Sequence, residues 1–203
     1  MKQTIHKLVA LALMLGTSAA AFGDGLLGQN YFGAGLGYAR VSVPGPNWDG
    51  YGVGALLNQN LMANDSYGVD LTGEAAILRV TGGGDRFRST ALTVGANAFT
   101  MVNDLKPFVG VFTGWSFNSI RGLDSTDGWL YGFNFGLEIP FEGFTVTPVF
   151  TWTRDQDAKE SLWSAGIQGH YWFSETMGLG LSYSASEGPN RVQAVTALLT
   201  VRY

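Results

Sequence analysis

The feature that most constrains this chain is a period of two. Trp129, Tyr131, Phe133, Phe135, Leu137 and Ile139 alternate with Leu130, Gly132, Asn134, Gly136 and Glu138, so an extended backbone shows an apolar row on one face and a mainly small or polar row on the other. Phe144, Val146, Pro148, Phe150 and Trp152 repeat the pattern against Thr145, Thr147, Val149 and Thr151, although Pro148 removes one ladder hydrogen bond. Beyond residue 30 no stretch carries helical spacing and none holds 18 consecutive apolar residues, which excludes α-helical membrane spans. The alternation predicts strands near 31–41, 50–61, 67–79, 88–101, 107–117, 128–139, 144–154, 161–173, 177–184 and 192–203. Ten strands without intervening helices predict an all-β, transmembrane antiparallel up-and-down β-barrel, with eight strands as the alternative if two assignments merge.

Two patterns point the apolar face outward, into lipid. Joins at 62–66, 103–105, 140–143 and 174–176 read as short turns, while those at 42–49, 80–87, 118–127, 155–160 and 185–191 read as longer, so tight periplasmic turns alternate with larger external loops. Aromatic residues also fall at the two ends of the apolar faces: Tyr38, Tyr51, Trp115, Trp129, Trp152, Trp163 and Tyr183 at the external end, and Phe32, Phe144, Tyr171, Phe173 and Tyr203 at the periplasmic end. Such bands are the interface girdles of membrane barrels, which a soluble barrel with its apolar face inward does not need. Eleven strand residues at ~3.3 Å each, tilted by about 40°, rise roughly 28 Å, the height of an outer-membrane apolar band.

Composition narrows the function. The 203 residues include 29 Gly and no Cys, and 12 Lys+Arg stand against 16 Asp+Glu. There is no basic excess to neutralise phosphates, so nucleic acid is not an expected partner. Without Cys there are neither disulfides nor thiolate metal sites. Residues 1–21 read as a signal peptide, with Lys2 and Lys7, an apolar centre at 8–15 and small residues Ala19, Ala20 and Ala21; cleavage is expected after Ala21, or alternatively after Gly23. Residues 22–203 then form a single outer-membrane barrel domain.

The last strand carries Val195, Ala197, Leu199, Val201 and Tyr203 on one face. This run resembles the C-terminal assembly signal of bacterial outer-membrane proteins, and the whole mature chain resembles, at the level of pattern, small barrels such as OmpA, OmpX and the opacity proteins. The resemblance implies a place in the bacterial outer membrane, contact with its lipids and lipopolysaccharide, and handling by the barrel-assembly machinery. A monomer is expected.

Inward positions are where chemistry would show. Asp70, Glu74, Asn97, Asn134, Glu138, Gln168, His170 and Arg202 fall on the inner face, and Asp70, Glu138, His170 and Arg202 lie toward the periplasmic end, at heights that predict one polar network. Such a network braces the wall, or forms a constriction or ligand site. Inner glycines, among them Gly33, Gly35, Gly37, Gly132, Gly136, Gly178 and Gly180, relieve crowding or leave space, while Leu130, Trp172 and Leu198 argue against a wide channel. After the signal the sole histidine is His170, which lacks an adjacent Ser, and Asp155 and Asp157 belong to the opposite end, so no catalysis, cofactor or metal is expected. The loop charges Asp124, Asp127, Asp155, Asp157 and Glu160, with Arg86, Arg88, Arg121 and Arg154, read as solvated, or as partners of lipopolysaccharide phosphates and cations. Gly82, Gly83 and Gly84 lead into a strand and so do not form a phosphate-binding helix start. The expected role is structural or that of a narrow pore, against three competitors: a surface adhesin, a lipid- or small-ligand-binding barrel, and a lipid-modifying enzyme.

Overall fold

A computed structural model describes residues 27–42, 47–120, 125–156, 160–187 and 191–203. The expected signal peptide, both cleavage positions, and Arg121, Asp124 and Asp157 lie outside them. The described chain forms strands β1 (Tyr31–Ser42), β2 (Trp48–Ala63), β3 (Tyr67–Gly82), β4 (Asp85–Thr100), β5 (Lys106–Ile120), β6 (Thr126–Phe141), β7 (Phe144–Asp155), β8 (Glu160–Trp172), β9 (Met177–Glu187) and β10 (Arg191–Arg202). Each pairs antiparallel with its neighbours in sequence, and β1 pairs with β10 from Tyr31↔Arg202 to Ser42↔Arg191, closing a barrel of ten strands. Closure leaves no unpaired edge, which a sheet in hydrocarbon requires.

The strands run further than the alternation showed. β3 reaches Gly82 and β4 begins at Asp85, so the expected long join at 80–87 is a two-residue turn, Gly83–Gly84. Both glycines have positive φ, 60° and 89°, as a tight hairpin turn with right-handed strand twist requires. Val80 and Phe87, which flank that join, are buried inside the barrel instead of lying in a loop. The other connections at this end, 43–47, 121–125, 156–159 and 188–190, overlap in length with those opposite them, 64–66, 101–105, 142–143 and 173–176, so the strict alternation of short and long joins does not hold. At Pro148 the β6–β7 ladder breaks after Gly136↔Val149 and resumes in the same register at Ile139↔Val146.

The pleat sorts the chain as the period of two requires. Leu36, Tyr51, Val94 and Val111 on the outer wall are 62–74% exposed, while Asn58, Asp70, Thr147 and Thr200 inside are 0% exposed. A wall greasy outside and polar inside is the inverse of a water-soluble barrel, and its stable surroundings are lipid.

Candidate functional site

The start of β1 and the end of β10 lie at one end, the one expected to face the periplasm, and the lumen is lined differently at its two ends. At the external end Ala39 and Val41 from β1, Trp48 from β2, Leu78 and Val80 from β3, Phe87 from β4, Leu162 from β8, and Val192 and Ala194 from β10 form one buried apolar cluster. These are inward-facing residues at the strand ends, so the sheet itself places the stopper.

At the end expected to be periplasmic, the segment preceding β1 enters the mouth. Leu27 is 1% exposed and packs against Phe99, Phe108 and Val149 inside the mouth. Its backbone is held by a buried ion pair: Leu27 N donates to Glu138 Oε2 at 3.2 Å, and Lys106 Nζ donates to the Leu27 carbonyl at 2.9 Å while lying 2.8 Å from Glu138 Oε1. Gly28 N donates to Asp70 Oδ2 at 2.9 Å, and the other Asp70 oxygen accepts from Asn60 Nδ2 at 2.7 Å. Asn58 Nδ2 donates to the Gln29 carbonyl at 2.7 Å, and Asn60 N donates to Asn30 Oδ1 at 2.7 Å. Two carboxylates thus receive successive backbone amides, the charge-assisted bonds that fix a chain in place.

The single network expected from the sequence divides in two. Asp70 and Glu138 serve the terminal segment, whereas His170 and Arg202 belong to a second cluster on β8 and β10. There His170 Nε2 lies 2.8 Å from Thr200 Oγ1, its ring meets Trp172 edge-on at 4.7 Å, and the Arg202 guanidinium covers Trp172 at 3.5 Å. The barrel separates the clusters because Asp70 is on β3 and Glu138 on β6, while Arg202 is on β10, paired with β1 and β9. Glu74 faces the lumen four residues along β3 from Asp70. The counter-ion of Glu138 is Lys106, a residue the sequence reading left outside its strand; its signal was parity, since Lys106 is two residues before the inward Phe108.

Between the closures lies a polar belt that includes the buried Thr93, Asn97, Asn134, Thr151, Gln168, Ser182 and Thr196. Asn134 Oδ1, Thr147 Oγ1 and His170 Nδ1 are buried without a protein hydrogen-bond partner, which is the condition for hydration from within the lumen. Among the described residues no three His, Asp or Glu side chains group as metal ligands. Asp155 pairs with Glu160 ten residues from the Thr145↔His170 pair, roughly 30 Å along the strands, so that carboxylate cannot orient this imidazole.

Five inward rings lie over glycines of a neighbouring strand. A Cβ on Gly136 would come within 2.5 Å of both Phe108 Cζ and the Pro148 carbonyl oxygen, one on Gly132 would meet the Trp152 carbonyl oxygen as well as Phe112 Cζ, and one on Gly82 would come within 2.6 Å of Trp48 Cγ and 2.8 Å of the Asn47 carbonyl oxygen; Phe99 covers Gly68 and His170 covers Gly178. The glycine surplus makes room for rings lying flat against the wall.

On the outer wall the expected external girdle residues face outward, with Tyr38 and Tyr51 5.4 Å apart and Trp115 and Trp129 5.7 Å apart. Trp152 and Trp163 are cross-strand partners, and Phe133, absent from the expected girdle, contacts both; Tyr183 faces Val195. At the periplasmic end Phe144 stacks on Phe141 at 4.8 Å and pairs with Tyr171, while Phe173 is exposed just beyond β8. Val195, Ala197, Leu199 and Val201 project from β10 beside Tyr183, Leu181, Leu179 and Met177 of β9, and the Tyr203 hydroxyl donates to Gln59 Oε1 at 3.1 Å.

The architecture recurs among solved structures. The translocator domain of the autotransporter NalP from Neisseria meningitidis aligns with a TM-score of 0.57 at 10% identity, covering 98% of this chain and 99% of that one. The β domain of the Bordetella autotransporter Brka aligns with a TM-score of 0.54 at 13% identity, covering 86% and 100%. The fold is that of an outer-membrane β-barrel. No protein-family model and no curated protein matches the chain.

Proposed function

We propose that the protein is a monomeric, non-catalytic structural barrel of the bacterial outer membrane whose lumen is shut at rest. The observation that carries this reading is the double closure: an apolar cluster across the external end and Leu27 seated in the periplasmic mouth. Each excludes water by a different means, so a solute would have to pass two barriers. The reading is tested by single-channel recording in planar bilayers, where the expected result is a flat trace. Steady conductance from the wild-type protein would overturn it.

A narrow pore is the second reading, favoured by the polar belt and by its buried atoms without protein partners. On that reading brief, discrete openings appear in the same recording, and they increase when the terminal segment is released. Insertion follows from the last strand: the alternating apolar face ending in Tyr203 is what the assembly machinery engages.

A further inference from the structure

We propose that Arg79, Arg86 and Arg88 form a binding site on the outer wall for a phosphorylated lipid headgroup of the external leaflet. Arg79 of β3 and Arg88 of β4 are direct cross-strand partners, both facing outward, and Arg86 stands two residues further along β4, opposite Thr81. The row through this pair reads Tyr38, Tyr51, Arg79, Arg88, Ser119 from β1 to β5. It therefore continues from aromatic interface residues into guanidiniums at the external strand ends. Like charges directly opposite one another destabilise a sheet, so the Arg79–Arg88 pair calls for an anion.

Among the described residues the protein supplies none. The row beyond reads Arg40, Asp49, Thr81, Arg86, and its carboxylate is already taken: Asp49 Oδ1 lies 2.8 Å from Arg40 Nε and accepts from the Tyr38 hydroxyl at 2.6 Å. Asp85 at the start of β4 and Asp127 on β6 make no ion pair with the three arginines among the described residues. The guanidiniums instead line a surface concavity of about 600 Å³ at the strand ends, together with Thr81, Ser119 and the apolar Val80 and Phe87. Guanidiniums bind phosphate through paired N–H donors, and hydroxyls add further ones. Below the concavity the wall is apolar, with Ile77 and Leu92 next outward-facing along β3 and β4 after Arg79 and Thr90. A ligand with a phosphate above and acyl chains below matches both surfaces; free phosphate matches only the first. The inference does not depend on whether the lumen conducts.

The test measures binding of bisphosphorylated lipid A, its dephosphorylated form and inorganic phosphate to the full-length barrel in a neutral detergent, by lipid-dependent thermal shift and native mass spectrometry. Lipid A is expected to bind and stabilise, with affinity falling about tenfold for each Arg→Gln change at positions 79, 86 and 88, the loss of one charge-assisted contact. Arg154→Gln, three strands away, should leave binding unchanged. Without lipid, Arg79→Gln is expected to raise the melting temperature by relieving like-charge repulsion, a sign that a misfolded variant would not give. Equal binding by the triple variant would overturn the site, and equal stabilisation by inorganic phosphate or dephosphorylated lipid would overturn the lipid source.

Discussion

Replacing Lys106 by Met should break the brace at the periplasmic mouth while keeping most of the side-chain volume. Lys106 Nζ lies 2.8 Å from Glu138 Oε1, with the two side chains 20% and 3% exposed. Unit charges about 4 Å apart at an effective dielectric constant near 20 attract by about 4 kcal/mol, and removing one member of a buried pair costs about 3–5 kcal/mol because the other charge stays buried. Since Lys106 is partly exposed, a loss of about 3 kcal/mol is expected. Glu138→Gln should cost only about 1 kcal/mol, because Lys106 keeps the Leu27 carbonyl and some hydration. In the double variant neither charge is stranded, so its loss falls below the sum of the singles by about 2 kcal/mol. Urea unfolding in phospholipid vesicles, followed by the fluorescence of the 6 Trp, reads all three, with heat-modifiable gel mobility as the check on folding. A Lys106→Met loss under about 0.5 kcal/mol, or an additive cycle, would refute the pair as the brace.

Leu27→Asp sets a third carboxylate beside Asp70 and Glu138 and removes apolar contact with Phe99, Phe108 and Val149, so the segment should leave the mouth. Because the chain has no Cys, a single Thr147→Cys probe can report this, and thiol labelling should run at least about tenfold faster, the factor given by ~1.4 kcal/mol of lost closure; equal rates would refute the plug. Gly136→Ala sets a methyl group against both the Phe108 ring and the Pro148 carbonyl oxygen and should cost about 1–3 kcal/mol in the same urea assay, with only the ring's part of the loss recovered when Phe108 is also changed to Leu. Tyr203→Asp, at an exposed position, should change unfolding by less than about 1 kcal/mol yet lower outer-membrane yield in cells; unchanged yield would mean that the terminal aromatic is not read during assembly.

Where lipid and lumen impose opposite demands on successive residues, the strands were legible in the sequence. At residues 129–139 the outward row is all apolar and the inward row mostly small or polar, and β6 spans them with that parity. Beyond the apolar band the outward face becomes polar, as at Thr81, Arg86 and Arg88, while the inward face turns apolar, as at Val80 and Phe87, so the lipid-facing alternation is lost although the strands continue. That is why the join at 80–87 looked like a loop and proved to be a Gly83–Gly84 hairpin. The same loss of signal hid Lys106 at the first position of β5. Partners inside the lumen were harder still to read. Parity says that Asp70, Glu138 and Arg202 all point inward, but which of them meet depends on the circular order of strands and on a terminal segment that carries no alternation.

The inward rings and the glycines are two sides of one packing solution. A lumen ringed by ten strands cannot let Phe99, Phe108, Phe112 and Trp48 all extend toward the axis, and bending each ring flat requires the adjacent strand to give up a side chain. The glycine count therefore does not measure open volume, since the space beside Gly68, Gly82, Gly132 and Gly136 is already filled by a neighbour's ring and, at the last three, by a backbone carbonyl too. An added methyl group at these sites acts on wall packing before it acts on any passage. Gly73 and Gly169 meet nothing within 4 Å of an added Cβ, so alanine there should leave stability nearly unchanged. The contrast between Gly136→Ala and Gly73→Ala in one unfolding assay separates glycine as a seat for a ring from glycine as empty wall, and equal losses at the two sites would refute the distinction.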